Sequence, residues 1–441
     1  MVSVGASLLA NGRKAATTHT PRPGPEAMPH LENAQLLPRF QALDHFLQQH
    51  RDLWHPRPFT TLHLPWETTH PQLSTWLRAR TLADAESVDN APHNVPAPAP
   101  YPQLAAEALA LSSVGDLPTA ALTPAPPRLS TDVPGRKWQQ IEAFAGHLDF
   151  ARRPGHWLDW CSGKGHLGRR LLGTEQQLTC LEYDPALVAA GEELSRHHHL
   201  PADHRLQDVM AEGAALQLTA AHTPVALHAC GDLHVRLIQL AADKGCQQLA
   251  IAPCCYNRTA GPHYQPLSTA ARASTLQLDM DDLGLPLSET VTAGNRVRRQ
   301  RDQSMAWRLG FDLLQRRLRQ TDDYLPTPSL PGAWLQKPFA DYCQHLAELK
   351  GVHINGAVNW AELEAAGWQR LAQVRNLEGL RNLFRRPLEL WLVLDRALYL
   401  REQGYNVRLG TFCPHPLTPR NLMLLAEQPV DKSVSNFTVS G

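Results

Sequence analysis

The sequence predicts an α/β protein built on a mainly parallel sheet, and three observations carry that reading. Between residues 156 and 252, short apolar runs alternate with helical stretches. The first run, 156–161, passes directly into a small-residue turn, Ser162-Gly163-Lys164-Gly165, and a helical pattern starts near His166. The second run ends at Glu182, a carboxylate about twenty residues past the glycines, where a ribose diol would be held. Strands alternating with helices imply parallel pairing through right-handed crossovers, with ligands bound at the C-terminal ends of the strands.

The strands are expected at about 156–161, 178–183, 204–209, 224–229 and 247–252. Ahead of them, 40–47 and 72–79 have amphipathic helical spacing, and ten prolines between 91 and 135 surround one helix at 103–113. That stretch reads as a linker or wrapping arm. A further helix begins at Arg136. Residues 258–335 break the rhythm and carry an arginine cluster at 296–319, eight arginines against Asp302 and Asp312. Helices follow at about 338–349, 359–366 and 387–403, then two closing strands, Asn406–Phe412 and Asn421–Ala426. The expected division is a disordered extension over 1–27, with Met28 a plausible alternative start. A helical and proline-rich segment covers 28–135, an α/β domain 136–428 with an inserted region at 258–385, and a flexible tail 429–441.

The 441 residues suffice for two or three domains, and a formal net charge of zero advertises neither nucleic acid nor membrane through a global field. No apolar run reaches the roughly 18 residues of a membrane span. The N-terminus lacks a convincing signal peptide, and eight cysteines in so long a chain do not resemble a disulfide framework. A cytoplasmic location is expected.

Chemistry is expected at five strand ends that face one crevice. The first supplies Asp159, Cys161 and the Ser162–Gly165 turn leading to His166 and Leu167; the second supplies Glu182, Tyr183 and Asp184. Asp208 and Val209 end the third, and Asp208 suits an exocyclic amine. His228, Cys230 and Asp232 end the fourth, and Cys254, Cys255, Tyr256 and Asn257 the fifth. An adenosine ligand fits this set. The phosphate-loop pattern is absent around Lys164, and the dinucleotide fingerprint is matched only loosely by Gly163, Gly165 and Gly168.

The turn from Asp159 through Leu167, the segment His228–Leu233 and the corner Cys254-Cys255-Tyr256 resemble the three signatures of a class I methyltransferase domain. This domain occurs in methyltransferase-like eukaryotic proteins, in proteins with a glutathione S-transferase C-terminal domain and, more distantly, in the tRNA acceptor-stem 2′-O-methyltransferase. Residues 386–404 and 418–421 also resemble that family's ending, so the likeness covers roughly 136–428. Cys161 stands where many methyltransferases have their first glycine, and Thr418 where relatives more often show serine. The resemblance implies a Rossmann-like class I methyltransferase sheet with an N-terminal helical extension and a helical insertion before the last two strands. It implies S-adenosyl-L-methionine as cofactor, held by Asp159, Cys161, Ser162, Gly163, Lys164, Gly165, His166, Leu167, Glu182, Tyr183, Asp208, Val209, His228 and Cys230. Asp232, Cys254, Cys255, Tyr256 and Asn257 are the candidates for acceptor chemistry, and no single base is singled out among them.

Simpler roles compete for several of these residues. Asp184 before Pro185 reads better as a helix cap, and Asp232 is equally a cap or a site residue. His197, His198 and His199 read as a polar helix end. Adjacent cysteines rarely chelate one zinc well, so no metal is expected and the cysteines are read as small residues lining the acceptor pocket. The arginine cluster is either a solvated face or a track for a phosphate backbone; with the resemblance to the tRNA-modifying relative, it makes RNA (tRNA or rRNA) the favoured substrate. A protein or small-molecule acceptor, or a non-catalytic binding module on the same fold, are the alternatives.

Overall fold

The computed structural model describes residues 29–88, 91–288 and 295–430. The expected N-terminal extension, the alternative start at Met28 and the tail from 431 lie outside the described residues. Among the described residues there are eight strands: β1 (Leu31–Glu32), β2 (His156–Trp160), β3 (Gln177–Glu182), β4 (Ala202–Leu206), β5 (His222–Cys230), β6 (Gln248–Cys254), β7 (Asn406–Thr411) and β8 (Leu422–Glu427). They form one sheet in the order β1-β7-β8-β6-β5-β2-β3-β4. Strands β2 to β6 pair in parallel, whereas β8 is antiparallel to both β6 and β7. The sheet therefore ends in the late strand pair that the sequence suggested; one of the two strands is reversed, and the two residues of β1 add an antiparallel edge.

The parallel run starts in the middle of the sheet at β2, moves outward through β3 and β4, then returns to the other side of β2 with β5. The boundary between β2 and β5 is a topological switch point, and the crevice above it lies at the strands' C-terminal ends. Burial follows position. All seven residues of β6 are buried, as expected for a strand covered on both faces, whereas edge strand β4 buries only His204. Helices Pro185–His197 and Asp232–Asp243 supply crossovers, and Asp184 caps the former by accepting from the Ala186 N–H at 2.8 Å. The cap expected at Asp184 is thus present.

Two expectations need correction. Strand β4 starts two residues earlier than predicted and ends at Leu206, so Asp208 follows the strand in a turn. The helix expected at 359–366 runs on to Asn382; within the expected helical insertion, Asn295–Arg319 forms a 25-residue helix whose bounds the sequence did not predict. These two helices pack closely where Gly367 meets Gly310: a Cβ on Gly367 would lie 2.5 Å from the Ala306 carbonyl oxygen. The long helices bury polar residues such as Arg370, Asn376 and Asp312 among apolar ones. Their pattern therefore shows no single clean stripe.

The N-terminal helices Leu36–Gln49, Pro71–Ala79 and Tyr101–Ser112 share one apolar core with helix Arg385–Glu402 and one face of the sheet. Phe40 and Trp391 make ring contact at 5.1 Å within it. The segment before residue 113 is thereby fixed beside the C-terminal edge that carries the crevice.

Candidate active site

The glycine turn is held from both sides by carboxylates. Asp159, buried in β2, accepts the Gly168 N–H at 2.9 Å and so ties the strand to the first turn of helix His166–Leu171. Burial pushes its carboxyl up to about 7. Glu182, at the end of β3, accepts the N–H groups of Gly163 (2.8 Å), Tyr183 and Asp184 (3.0 Å each). A carboxylate offers about four lone-pair sites, so three backbone donors fix its orientation and leave acceptor capacity for a ligand hydroxyl.

The two turn glycines do different work. Both have positive φ, +57° at Gly163 and +72° at Gly165. A Cβ on Gly165 would strike the His204 ring at 2.7 Å, whereas one on Gly163 would meet nothing within 4 Å. Gly165 closes the turn against the sheet, and Gly163 opens onto free space next to Glu182. The remaining turn residues divide in the same way. Lys164 is exposed, its carbonyl accepting from Arg169, while Leu167 is buried in the core. His166 is half-buried against Arg169, and burial lowers its pKa to about 4. Cys161, with φ +57°, has its thiol raised to about 12 by burial and then by Glu182. The Ser162 hydroxyl oxygen is buried within hydrogen-bonding reach of the Cys180 thiol.

Past the second strand end Tyr183 is 72% exposed; past the third, Val209 is core and Asp208 accepts from the Met210 N–H at 2.9 Å. The fourth end is distorted. The pairing of β5 with β6 shifts between Leu227 and Cys230, and His228 has φ +62°. Burial lowers the His228 imidazole to about 4, so it is neutral at pH 7. Its Nε2 lies 2.9 Å from the Gln140 Oε1. The Gln140 amide nitrogen donates to the Leu417 carbonyl, so its oxygen takes the Nε2 proton and the lone pair resides on Nδ1. Gln140 was missed in the sequence, where it is one polar residue on an ordinary amphipathic helix, Gly135–Gly146.

The candidates for acceptor chemistry separate. Asp232 neither caps its helix, a position held by Gly231, nor stands apart from the scaffold: its Oδ2 accepts the Ala260 N–H at 2.7 Å. Tyr256 is fully buried, its hydroxyl donating to Glu389 at 3.4 Å and its ring beside Arg396, so it belongs to the core. Asn257 is half-buried. Cys230, Cys254 and Cys255 converge, their sulfurs all within 4.8 Å of one another. Cys255 is the most acidic of the three because the other two thiols donate toward it, helped by Arg420 and Arg258.

A cavity of about 290 Å³ opens beside this corner. Ser112 and Val114 from the N-terminal segment line it, with Arg385, Arg386, His415 and Asn421. Asn421 immediately precedes β8, and the β6–β8 register places it at the level of Cys254. Arg386 bonds both Glu389 (2.6 Å) and Asn421 (2.9 Å), joining the wall of the cavity to the Tyr256 contact. None of the residues singled out from the sequence as site residues lines this cavity.

Residues 136–261 match a methyltransferase domain. The matched residues run from the helix carrying Gln140, through the glycine turn and Glu182, to the Cys254–Asn257 corner. They stop short of the Arg386 and Asn421 segments. The chain is also similar, at 14% identity, to two solved structures. One is a putative sarcosine dimethylglycine methyltransferase from Galdieria sulphuraria, with a TM-score of 0.24 over 66% of this chain and 84% of that one. The other is a coclaurine N-methyltransferase bound to N-methylheliamine and SAH, with a TM-score of 0.23 over 79% and 89%. Overlap this slight adds nothing to the domain match.

Proposed function

We propose that the methyltransferase domain uses S-adenosyl-L-methionine, held across the switch point between β2 and β5. The observation that carries the reading is the open space over Gly163 beside the Glu182 carboxylate, at the C-terminal edge of a parallel sheet. Glu182 would receive ribose hydroxyls. Ser162, Gly163 and Lys164 would receive the methionine end, and exposed Asp208 the exocyclic amine. The cofactor supplies an electrophilic methyl group, and the protein's share is alignment of the acceptor. The 290 Å³ cavity supports an acceptor side shaped by residues 92–114, by Arg385 and Arg386, and by the 415–421 loop.

Calorimetry on the wild type and on Gly163→Asp tests this. Aspartate tolerates the left-handed conformation and its Cβ meets no atom within 4 Å, so the variant should fold, while a second carboxylate in the cradle removes the binding heat. A wild type that gives no heat sinks the proposal.

RNA is the acceptor class we propose, and its support in the fold is one exposed run, Arg296, Arg298 and Arg299, opening helix Asn295–Arg319. Part of the cluster serves the fold instead, while Arg317 and Arg319 are exposed at the helix's far end. Arg316 is buried against Asp312 and the Thr60 carbonyl, and Arg308 donates to Thr327. Loss of the gene should remove one methylated nucleoside from bulk tRNA or rRNA. An unchanged nucleoside profile by mass spectrometry would count against RNA and leave cofactor binding standing.

A further inference from the structure

We infer that Cys230, Cys254 and Cys255 form a metal site for a thiophilic cation of the zinc class, with the fourth coordination position open. Three observations carry this. The Cys230 and Cys254 sulfurs are 3.7 Å apart, and all three sulfurs lie within 4.8 Å of one another. Two thiolates bound at about 2.3 Å to a tetrahedral zinc are separated by about 3.8 Å, so a small adjustment at Cys255 would complete the face of a tetrahedron.

Second, the backbone is bent to produce this convergence. Successive side chains of a strand point to opposite faces, which would send the Cys254 and Cys255 sulfurs apart. Cys255 instead has φ +48°, a conformation uncommon outside glycine, and the turn brings its sulfur back beside Cys254. On the facing strand, the register shift after Leu227 and the positive φ of His228 and Gly231 deliver Cys230 to the same point. Unfavourable backbone at two non-glycine positions around one cluster, His228 and Cys255, is the pattern of a functional site.

Third, the shell is built for it. Cys230 and Cys254 both approach the His228 carbonyl, at 3.7 and 3.3 Å, and Gly231 is locked by the Arg258 carbonyl, which a Cβ there would meet at 1.9 Å. Cys254 is buried, while Cys230 and Cys255 are half-buried at the crevice, so an ion would be anchored inside and reachable outside. Loading releases three thiol protons and leaves a site of net charge −1, for a divalent ion and three thiolates. The guanidinium groups of Arg258 and Arg420 act on Cys255 and offset that charge. Three protein ligands with one position free is the arrangement of zinc sites that bind an exogenous ligand.

The site does not depend on the cofactor reading, and the test omits S-adenosylmethionine. The reduced full chain is equilibrated with Zn²⁺, dialysed and analysed for metal, expecting about one zinc per chain. Cys254→Ser and Cys255→Ser should each lose it, while Cys246→Ser keeps it: Cys246 is a buried thiol donating to the Thr219 carbonyl, as a serine can. In wild type loaded with Co²⁺, a near-ultraviolet thiolate-to-cobalt band is expected, which requires no variant to fold. Retention of no zinc, absence of that band, or undiminished zinc in Cys255→Ser would each overturn the assignment.

Discussion

At the scale of single residues, the glycines of the site have opposite roles. Gly231→Ala should unfold the fourth strand end, because the added carbon would sit on the Arg258 carbonyl. A loss of about 3 kcal/mol or more by urea titration is expected, against about 1–2 for Gly163→Ala, where only the left-handed backbone resists. Equal losses would contradict the distinction. Asp159 gives a pH prediction. Its carboxyl is raised from about 3.9 in an unfolded chain to about 7 in the fold, so its contribution is full below about 4 and declines as pH rises through 7. Asp159→Asn keeps an acceptor for the Gly168 N–H and removes the ionisation. The melting temperature of the variant relative to wild type should therefore climb between pH 5 and 8, and a constant difference would refute the shift. In the sequence, Asp159, Glu182 and the turn were legible as a group because they are close in sequence and end strands. Which of them face a ligand was not, since Asp159 and Leu167 turn inward through contacts made only in the folded chain.

Elements show the same division between local and tertiary information. Helix Pro185–His197 announces itself through Asp184 and Pro185, and its cap is present. Asp184→Ala should cost about 1 kcal/mol by urea titration, and no change would mean the cap bond contributes nothing. The five parallel strands were legible because buried strands are short apolar runs between turn residues. Helix Trp360–Asn382 was legible only in its first turns and helix Asn295–Arg319 only as part of an insertion, because they pack on several neighbours and bury Asp312, Arg316 and Arg370 in polar contacts. An arginine-rich stretch reads as surface until its partners are known. Gly367→Ala should cost about 1–3 kcal/mol, since the helix crossing has no room for the methyl group. An unaffected denaturation midpoint would mean that this crossing yields easily.

For the whole molecule, the buried histidines set the acid limit. Burial holds His166, His204, His222 and His228 each down to about 4, against about 6.5 when unfolded. The folded chain binds fewer protons than the unfolded one in that window, so stability is lost as pH falls from about 6.5 toward 4. Four such groups outweigh the opposite slope of Asp159, and the melting temperature should be lower at pH 5 than at pH 7. A flat profile would contradict this. The N-terminal segment belongs to the same core as helix Arg385–Glu402 and lines the cavity, which composition and proline content alone could not reveal. The central claim is that the Gly163–Glu182 crevice binds S-adenosylmethionine. It is tested most directly by melting the full chain with increasing S-adenosylmethionine, NAD or ATP, since a ligand specific to the folded state stabilises it by about 2.7 kcal/mol at 100 times its Kd. The expected result is a concentration-dependent rise with S-adenosylmethionine and none with the other two. No rise, or an equal rise with NAD, would contradict the claim.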